Sequence, residues 1–242
     1  FFLGFFTFIA LLEGIKIDHL TFKGVIIEKL YLKWENSFLI KASKIDVSAL
    51  KTDNLPLTLK PLGKLPPFIR HLQRWVKQID INTIQYDNIT ASLHYRENLP
   101  GQIRLSSGTD TCNGTFTLSE NTFDLSLPQC PINNALFNGK LTVHLAQQRL
   151  FINAQMNLPD TPTLSIRASV DTDRLTFYIH ADRPFTTIRP IVDFFDLDSD
   201  VQPWITQYAK ASLVTLHRLK GKFHYDKPEE LLKALRADAT AT

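Results

Sequence analysis

The stretch 163–181, TLSIRASVDTDRLTFYIHA, decides the fold. Leu164, Ile166, Ala168 and Val170 alternate with Ser165, Arg167 and Ser169. After Asp171-Thr172-Asp173 the alternation resumes with Leu175, Phe177, Ile179 and Ala181. Successive side chains of an extended chain point to opposite faces, so a period of two places all the aliphatic residues on one side. The Asp-rich step between the runs supplies turn chemistry. The stretch reads as two half-buried antiparallel strands.

Working outward, the same form recurs. In 140–156, KLTVHLAQQRLFINAQM, the alternating residues are Leu141, Val143 and Leu145, then Leu150, Ile152, Ala154 and Met156. In 115–127, TFTLSENTFDLSL, they are Phe116 and Leu118, then Phe123, Leu125 and Leu127, with Glu120-Asn121 at the turn. From Ile79 to about Ala181 the chain is one run of short strands, an antiparallel meander with an aliphatic face and a Thr/Ser/Asn/Gln/Arg face.

Nearer the start, 24–47, GVIIEKLYLKWENSFLIKASKIDV, alternates through Val25 and Ile27, then Leu30, Leu32 and Trp34. The phase slips by one residue at Glu28-Lys29, as a bulge would make it do. Asn36-Ser37 marks a turn. Residues 53–67 hold four prolines and a glycine and read as a loop or crossing segment. A short helix is expected near 67–79, because Ile69, Leu72, Val76 and Ile79 are spaced 3, 4, 3. Its other face carries Arg70, His71, Arg74 and Lys77.

The C-terminal part, 184–242, reads as a helical segment with a short strand. Ile188, Ile191, Val192 and Phe195, then Val201, Ile205, Tyr208 and Ala209, have helical spacing. Asp198, Ser199 and Asp200 suit a cap before Pro203, and Gly221 reads as the helix stop. Asp226 and Pro228 open a second helix, and DATAT at 238–242 reads as the start of a strand. Too few helices are available to cover so long a sheet, so it either closes on itself or leaves an apolar trough for a ligand or partner.

The opening FFLGFFTFIALL has five Phe in twelve residues and no charge before Glu13. Twelve helical residues reach about 18 Å, short of the roughly 30 Å bilayer core. Residues 1–14 are expected to be the end of a transmembrane anchor, since so much exposed Phe is rare at a soluble N-terminus, with a buried N-terminal strand or helix as the alternative; an antiparallel β-region is expected over 15–183.

The 242 residues are 44% hydrophobic and 21% charged, an ordinary globular balance. A net charge of +3 without a basic run speaks against nucleic acid as a partner. Cys112 and Cys130, the two cysteines, flank the 116–127 hairpin. That placement is consistent with a disulfide in an oxidising compartment; two buried thiols would leave the same pattern. The anchor favours the disulfide. Neither cysteine lies in a metal-ligand spacing, and the seven His residues form no HxxxH or HExxH. His144 and His180 fall on the polar faces of their strands. The Asp residues of 193–200, DFFDLDSD, lack the glycine and final Glu of a calcium loop. No phosphate-loop or nucleophile-elbow motif occurs, so no metal, cofactor or catalytic residue is expected, and the chain is not expected to be an enzyme.

Two stretches, 27–47 (IEKLYLKWENSFLIKASKIDV) and 200–239 (DVQPWITQYAKASLVTLHRLKGKFHYDKPEELLKALRADA), resemble AsmA-like envelope proteins of the YhdP/TamB type, in the form found in Helicobacter- and Campylobacter-like bacteria. The resemblance implies an N-terminal helix in the bacterial inner membrane. It implies a periplasmic bulk forming a curved, repeating β-groove, and phospholipid movement toward the outer membrane. It supplies no catalytic residues. It also implies that the chain is the N-terminal section of a longer protein, leading into a next groove section. Acyl chains would lie on the aliphatic face, each buried CH₂ contributing about 0.8 kcal/mol. The residues expected to line it are Phe116, Leu118, Phe123, Leu125, Leu141, Val143, Leu145, Ile152, Leu164, Ile166, Phe177 and Ile179. The competing expectation is a scaffold that docks an outer-membrane or other envelope protein by edge-strand pairing.

Overall fold

In a computed structural model the described residues are 9–50, 65–171, 173–186, 194, 213–224 and 234–241. Among them lie fourteen strands, hydrogen-bonded in chain order as one open sheet. The chain is mainly β and the sheet mostly antiparallel. It divides into two compact units: Phe1–Leu55 with Lys64–Leu125, and Pro56–Gly63 with Ser126–Thr242.

The first unit holds β1 (Ile15–Phe22), β2 (Val25–Trp34), β3 (Phe38–Asp46), a 3-10 turn (Ser48–Leu50), α1 (Leu65–Trp75), β4 (Val76–Tyr86), β5 (Ile89–Arg96), β6 (Gly101–Ser107), β7 (Asp110–Leu118) and the start of β8 (Thr122–Ile132). β3 and β4 run parallel, which departs from the expected pure meander. A parallel pair needs a long crossover, and residues 47–75, with the 3-10 turn and α1, supply it.

Two expectations shift here. The helix ends at Trp75, and Val76 and Ile79 belong to β4. Their spacing from Ile69 suits a helix, but the β-branched run Val76, Ile79, Ile81, Ile84 packs better on a pleated surface. Residues 15–22, inside the expected β-region but without clear alternation, form β1 paired to β2.

The phase slip at Glu28-Lys29 is present, with Lys29 at φ 50°. It does not belong to β2 alone. Leu20, Ile27, Ile45 and Ile84 form one cross-strand row, whereas Ala42 pairs with Ile81 and Ile17 with Leu30. Directly opposed residues share a face, so β1 to β4 slip together. The extra residue is absorbed only between β4 and β5, where the register shifts between Ile81 and Ile84. A strand slipping alone would turn its apolar set to the wrong face.

The second unit holds the rest of β8, then β9 (Ala135–His144), β10 (Arg149–Asn157), β11 (Leu164–Val170), β12 (Arg174–Ala181), β13 (Val214–His224) and β14 (Arg236–Ala241), all antiparallel where paired from β9 onward. The expected helix stop at Gly221 is corrected. Val214–His224 is a strand, and Gly221 sits inside it opposite Phe177. The proposed caps at 198–200 and Asp226, with Pro203, Pro228 and the helical positions from Ile188 to Tyr208, lie outside the described residues. So do residues 51–64 and the start of the expected anchor. Residues 9–13 are helical. No helix among the described residues is long and apolar enough to cross a membrane.

Candidate functional site

Each unit presents one apolar sheet face built from cross-strand rows. In the first unit one row runs Ile15, Leu32, Ile40, Ile79, Tyr95. The next runs Ala42, Ile81, Leu93, Ile103, Gly114. α1 covers one end of this face: Ile69 and Val76 are buried, and Trp75 lies 5.6 Å from Trp34, whose ring meets Phe38 edge-on at 4.8 Å. Gln73 ties the helix across the strands by donating from Nε2 to the Leu118 carbonyl at 2.6 Å. Beside this end, Gln73, Tyr95, Leu99, Thr117 and Leu118 border a cavity of about 470 Å³. Burial, and then the nearby Glu97 carboxylate, holds the Tyr95 phenol above its ordinary range, so it stays neutral.

In the second unit four rows cross β9 to β12, and three of them continue onto β13. The first, Phe137–Met156–Leu164–Ala181, is closed off. Met156 is 1% exposed, and Ala135, Leu158, Leu164 and Phe185 pack around it. Phe185 and Val214 exchange backbone hydrogen bonds at 2.6 and 3.0 Å, and the Thr161 hydroxyl donates to the Leu158 carbonyl at 3.1 Å. These loops fold over one end of the sheet face. Phe194 joins them, its ring 5.9 Å from Phe137.

The other rows are Gly139–Ala154–Ile166–Ile179–Leu219, Leu141–Ile152–Ala168–Phe177–Gly221 and Val143–Leu150–Val170–Leu175–Phe223. Apart from Val143 and Gly221, their residues are only half-buried. The unit thus has a dry end and an apolar remainder that no described element covers.

The expected lining residues divide accordingly. Leu141, Ile152, Ile166, Phe177 and Ile179 lie on the half-covered rows of the second unit, with Val143, which is buried. Leu164 belongs to the closed end, and Leu145 is buried at the β9–β10 turn. In the first unit Phe116 is buried against Phe123 at 5.7 Å, and Leu118, Phe123 and Leu125 are half-buried. The equivalent rows of β2 to β6 are not among the expected lining residues. Their alternation was legible at Leu32, Ile40 and Leu93, but without register nothing assigned it to the same face.

Cys112 faces the apolar side, opposite Leu105, and Cys112 and Cys130 are both buried. Neither carries a free thiol; both are disulfide-bonded. On the polar side of the first unit, Asp80 accepts from Gln78 Nε2 at 2.5 Å and lies 3.3 Å from His94 Nδ1 and 4.0 Å from Lys41 Nζ. Among the described residues no three His, Cys, Asp or Glu side chains are grouped to hold a metal.

Comparison of the chain with protein-family models, with curated proteins and with solved structures returns no match.

Proposed function

We propose that the chain is an AsmA-like envelope protein section, anchored in the bacterial inner membrane with its bulk in the periplasm. In this reading it shields phospholipid acyl chains along a β-groove and helps move them toward the outer membrane. The observation that carries this reading is the set of half-covered rows in the second unit, aliphatic from β9 to β13 and continuous in register. A lipid tail laid along them loses apolar surface to the protein at about 25 cal/mol per Å². It meets no polar side chain that would fix it in one place. Such a lining retains a two-chain lipid while permitting it to slide. The stretches 27–47 and 200–239, with their resemblance to the AsmA-like proteins, add to the reading, as does the Phe-rich start.

The test is native mass spectrometry with lipid extraction on the full chain purified from a bacterial periplasm or inner membrane. Co-purifying phospholipid that is lost on Ile152→Asp plus Ile166→Asp, with the far-ultraviolet spectrum unchanged, supports the groove. A lipid-free protein that captures a partner strand would move the reading to the edge-pairing scaffold. The exposed side chains of the edge strand β1, Leu20 and Phe22, bear on that alternative.

A further inference from the structure

The β5–β6 hairpin of the first unit borders a second cavity, on the side away from the apolar rows. Side chains alternate along a strand. Leu93 and Tyr95 join the apolar rows, so His94 and Arg96 face the other way. Asp80 on β4 and Gln102 on β6 lie directly opposite His94, one on each side. With Leu99 and Pro100 of the turn, Asp80, His94, Arg96 and Gln102 border a cavity of about 430 Å³. Directly opposed residues hold their Cβ atoms about 5 Å apart, and Arg96 follows His94 by about 7 Å along the strand.

The polar groups divide into an occupied carboxylate and donors that are not engaged. Asp80 Oδ1 lies 3.3 Å from His94 Nδ1; Asp80 Oδ2 accepts from Gln78 Nε2 and lies 4.0 Å from Lys41 Nζ. A carboxylate only accepts, so Nδ1 carries the proton there and the ring keeps Nε2 for a ligand. Among the described residues no carboxylate pairs with Arg96, and no group bonds the Gln102 amide. Glu97, the next residue, borders the cavity on the apolar side instead. Arg104, two residues along β6 from Gln102 on the same face, is also outside any ion pair among the described residues. The cavity therefore sits in a positive field.

These groups match a phosphate monoester. A guanidinium meets two phosphate oxygens at once, and the Gln102 amide suits the third. Such an ester exchanges one proton near neutral pH, its second pKa being about 6. Nε2 suits both forms: it accepts from the P–OH of the monoanion, or, protonated, donates to the dianion. A carboxylate has two oxygens and leaves one of the three partners unmet. Leu99 and Pro100 give the carbon part of the ester an apolar wall, and the volume falls in the range of small-ligand sites.

We propose that Arg96, His94 and Gln102, with Asp80 holding the imidazole, bind the phosphate group of a phosphate monoester. The site lies on the face opposite the apolar rows and does not depend on their occupant. A soluble ester and the headgroup of a phosphatidic acid offer the same chemistry, and the experiment separates them.

The experiment is isothermal titration calorimetry of the full chain with glycerol 3-phosphate, against glycerol and acetate. One site per chain is expected for glycerol 3-phosphate, none for glycerol, and weaker binding for acetate. Arg96→Gln removes charge-assisted hydrogen bonds and weakens binding about ten-fold. Arg96→Lys keeps the charge without the fork and falls between. Arg149→Gln, which removes a cation paired with Asp171 in the second unit, leaves the affinity unchanged. Arg96 is exposed, so thermal melts of its variants should match the unaltered chain. Dihexanoyl phosphatidic acid binding no more tightly than glycerol 3-phosphate assigns the site to soluble esters. Tighter binding that Arg96→Gln removes assigns it to a lipid headgroup; both results uphold the phosphate site. No saturable binding, equal affinity in Arg96→Gln and the unaltered chain, or acetate binding as tightly as glycerol 3-phosphate overturns the proposal.

Discussion

The ring of Phe177 lies across Gly221, its directly opposed partner on β13: a Cβ built on that glycine would stand 2.5 Å from Phe177 Cε1. The first unit repeats the arrangement with Phe116 over Gly101. In each, a flat ring fills the surface that the glycine leaves bare, so the apolar face stays continuous where a strand lacks a side chain.

Gly221→Ala tests this relationship. Alanine in a strand should gain about 0.5–1 kcal/mol of chain entropy over glycine. Overpacking against the ring costs about 1–3 kcal/mol, so the clash wins. Urea unfolding is expected to report a net loss, and in a Phe177→Ala background the same change should be close to neutral or stabilising.

The closed end and the half-covered rows should respond differently to truncation. Met156 is 1% exposed, so Met156→Ala should cost about 2–5 kcal/mol. Ile152, four residues earlier on the same strand face, is half-buried, and Ile152→Ala is expected to cost well under half of that. Equal losses in paired denaturation curves would mean that the rows are as dry as the closed end.

Neither cysteine carries a free thiol. Thiol titration of the unfolded, unreduced chain should therefore find none. Reduction should lower stability by about 3 kcal/mol, seen as a drop in melting temperature on adding a reductant. Cys112→Ala plus Cys130→Ala should reproduce that drop and abolish its dependence on reductant.

Gln73 joins α1 to β7 through a single donated hydrogen bond to the Leu118 carbonyl. Gln73→Leu should cost about 1 kcal/mol. Because Trp75 and Trp34 are neighbours at that end, tryptophan emission should report the loosened helix before global unfolding does.

The Asp46 carboxyl is held below its ordinary range, first by the Ser48 backbone N–H at 3.0 Å, then by the Ser48 hydroxyl and Lys44. A depressed carboxyl contributes stability above its unfolded value, about 3.9, and loses it as pH falls through the lower folded value. Asp46→Asn should thus lower the melting temperature slightly at neutral pH. The difference from the unaltered chain should vanish in strong acid.

The sequence by itself determined what depends on neighbours along the chain. Alternation from Phe116 to Ala181 placed the strands and their faces, the turns at Asn36-Ser37 and Asp171–Asp173, and the slip at Lys29. These are local, because a period of two and a turn's dihedral demands are properties of a few consecutive residues. The tertiary structure alone decided what depends on register. It ended α1 at Trp75, where both periods fitted Val76 and Ile79 and packing on β3 and β5 chose the strand. It turned Gly221 from a helix stop into the seat of a ring, because Phe177 lies 44 residues earlier in the chain. It made four strands slip together so that their apolar rows match, and it set Asp80 and Gln102 on either side of His94, which no window of the sequence brings together. Cross-strand partners are chosen by the hydrogen-bond ladder and by burial of the shared face, and neither quantity can be read from a single strand.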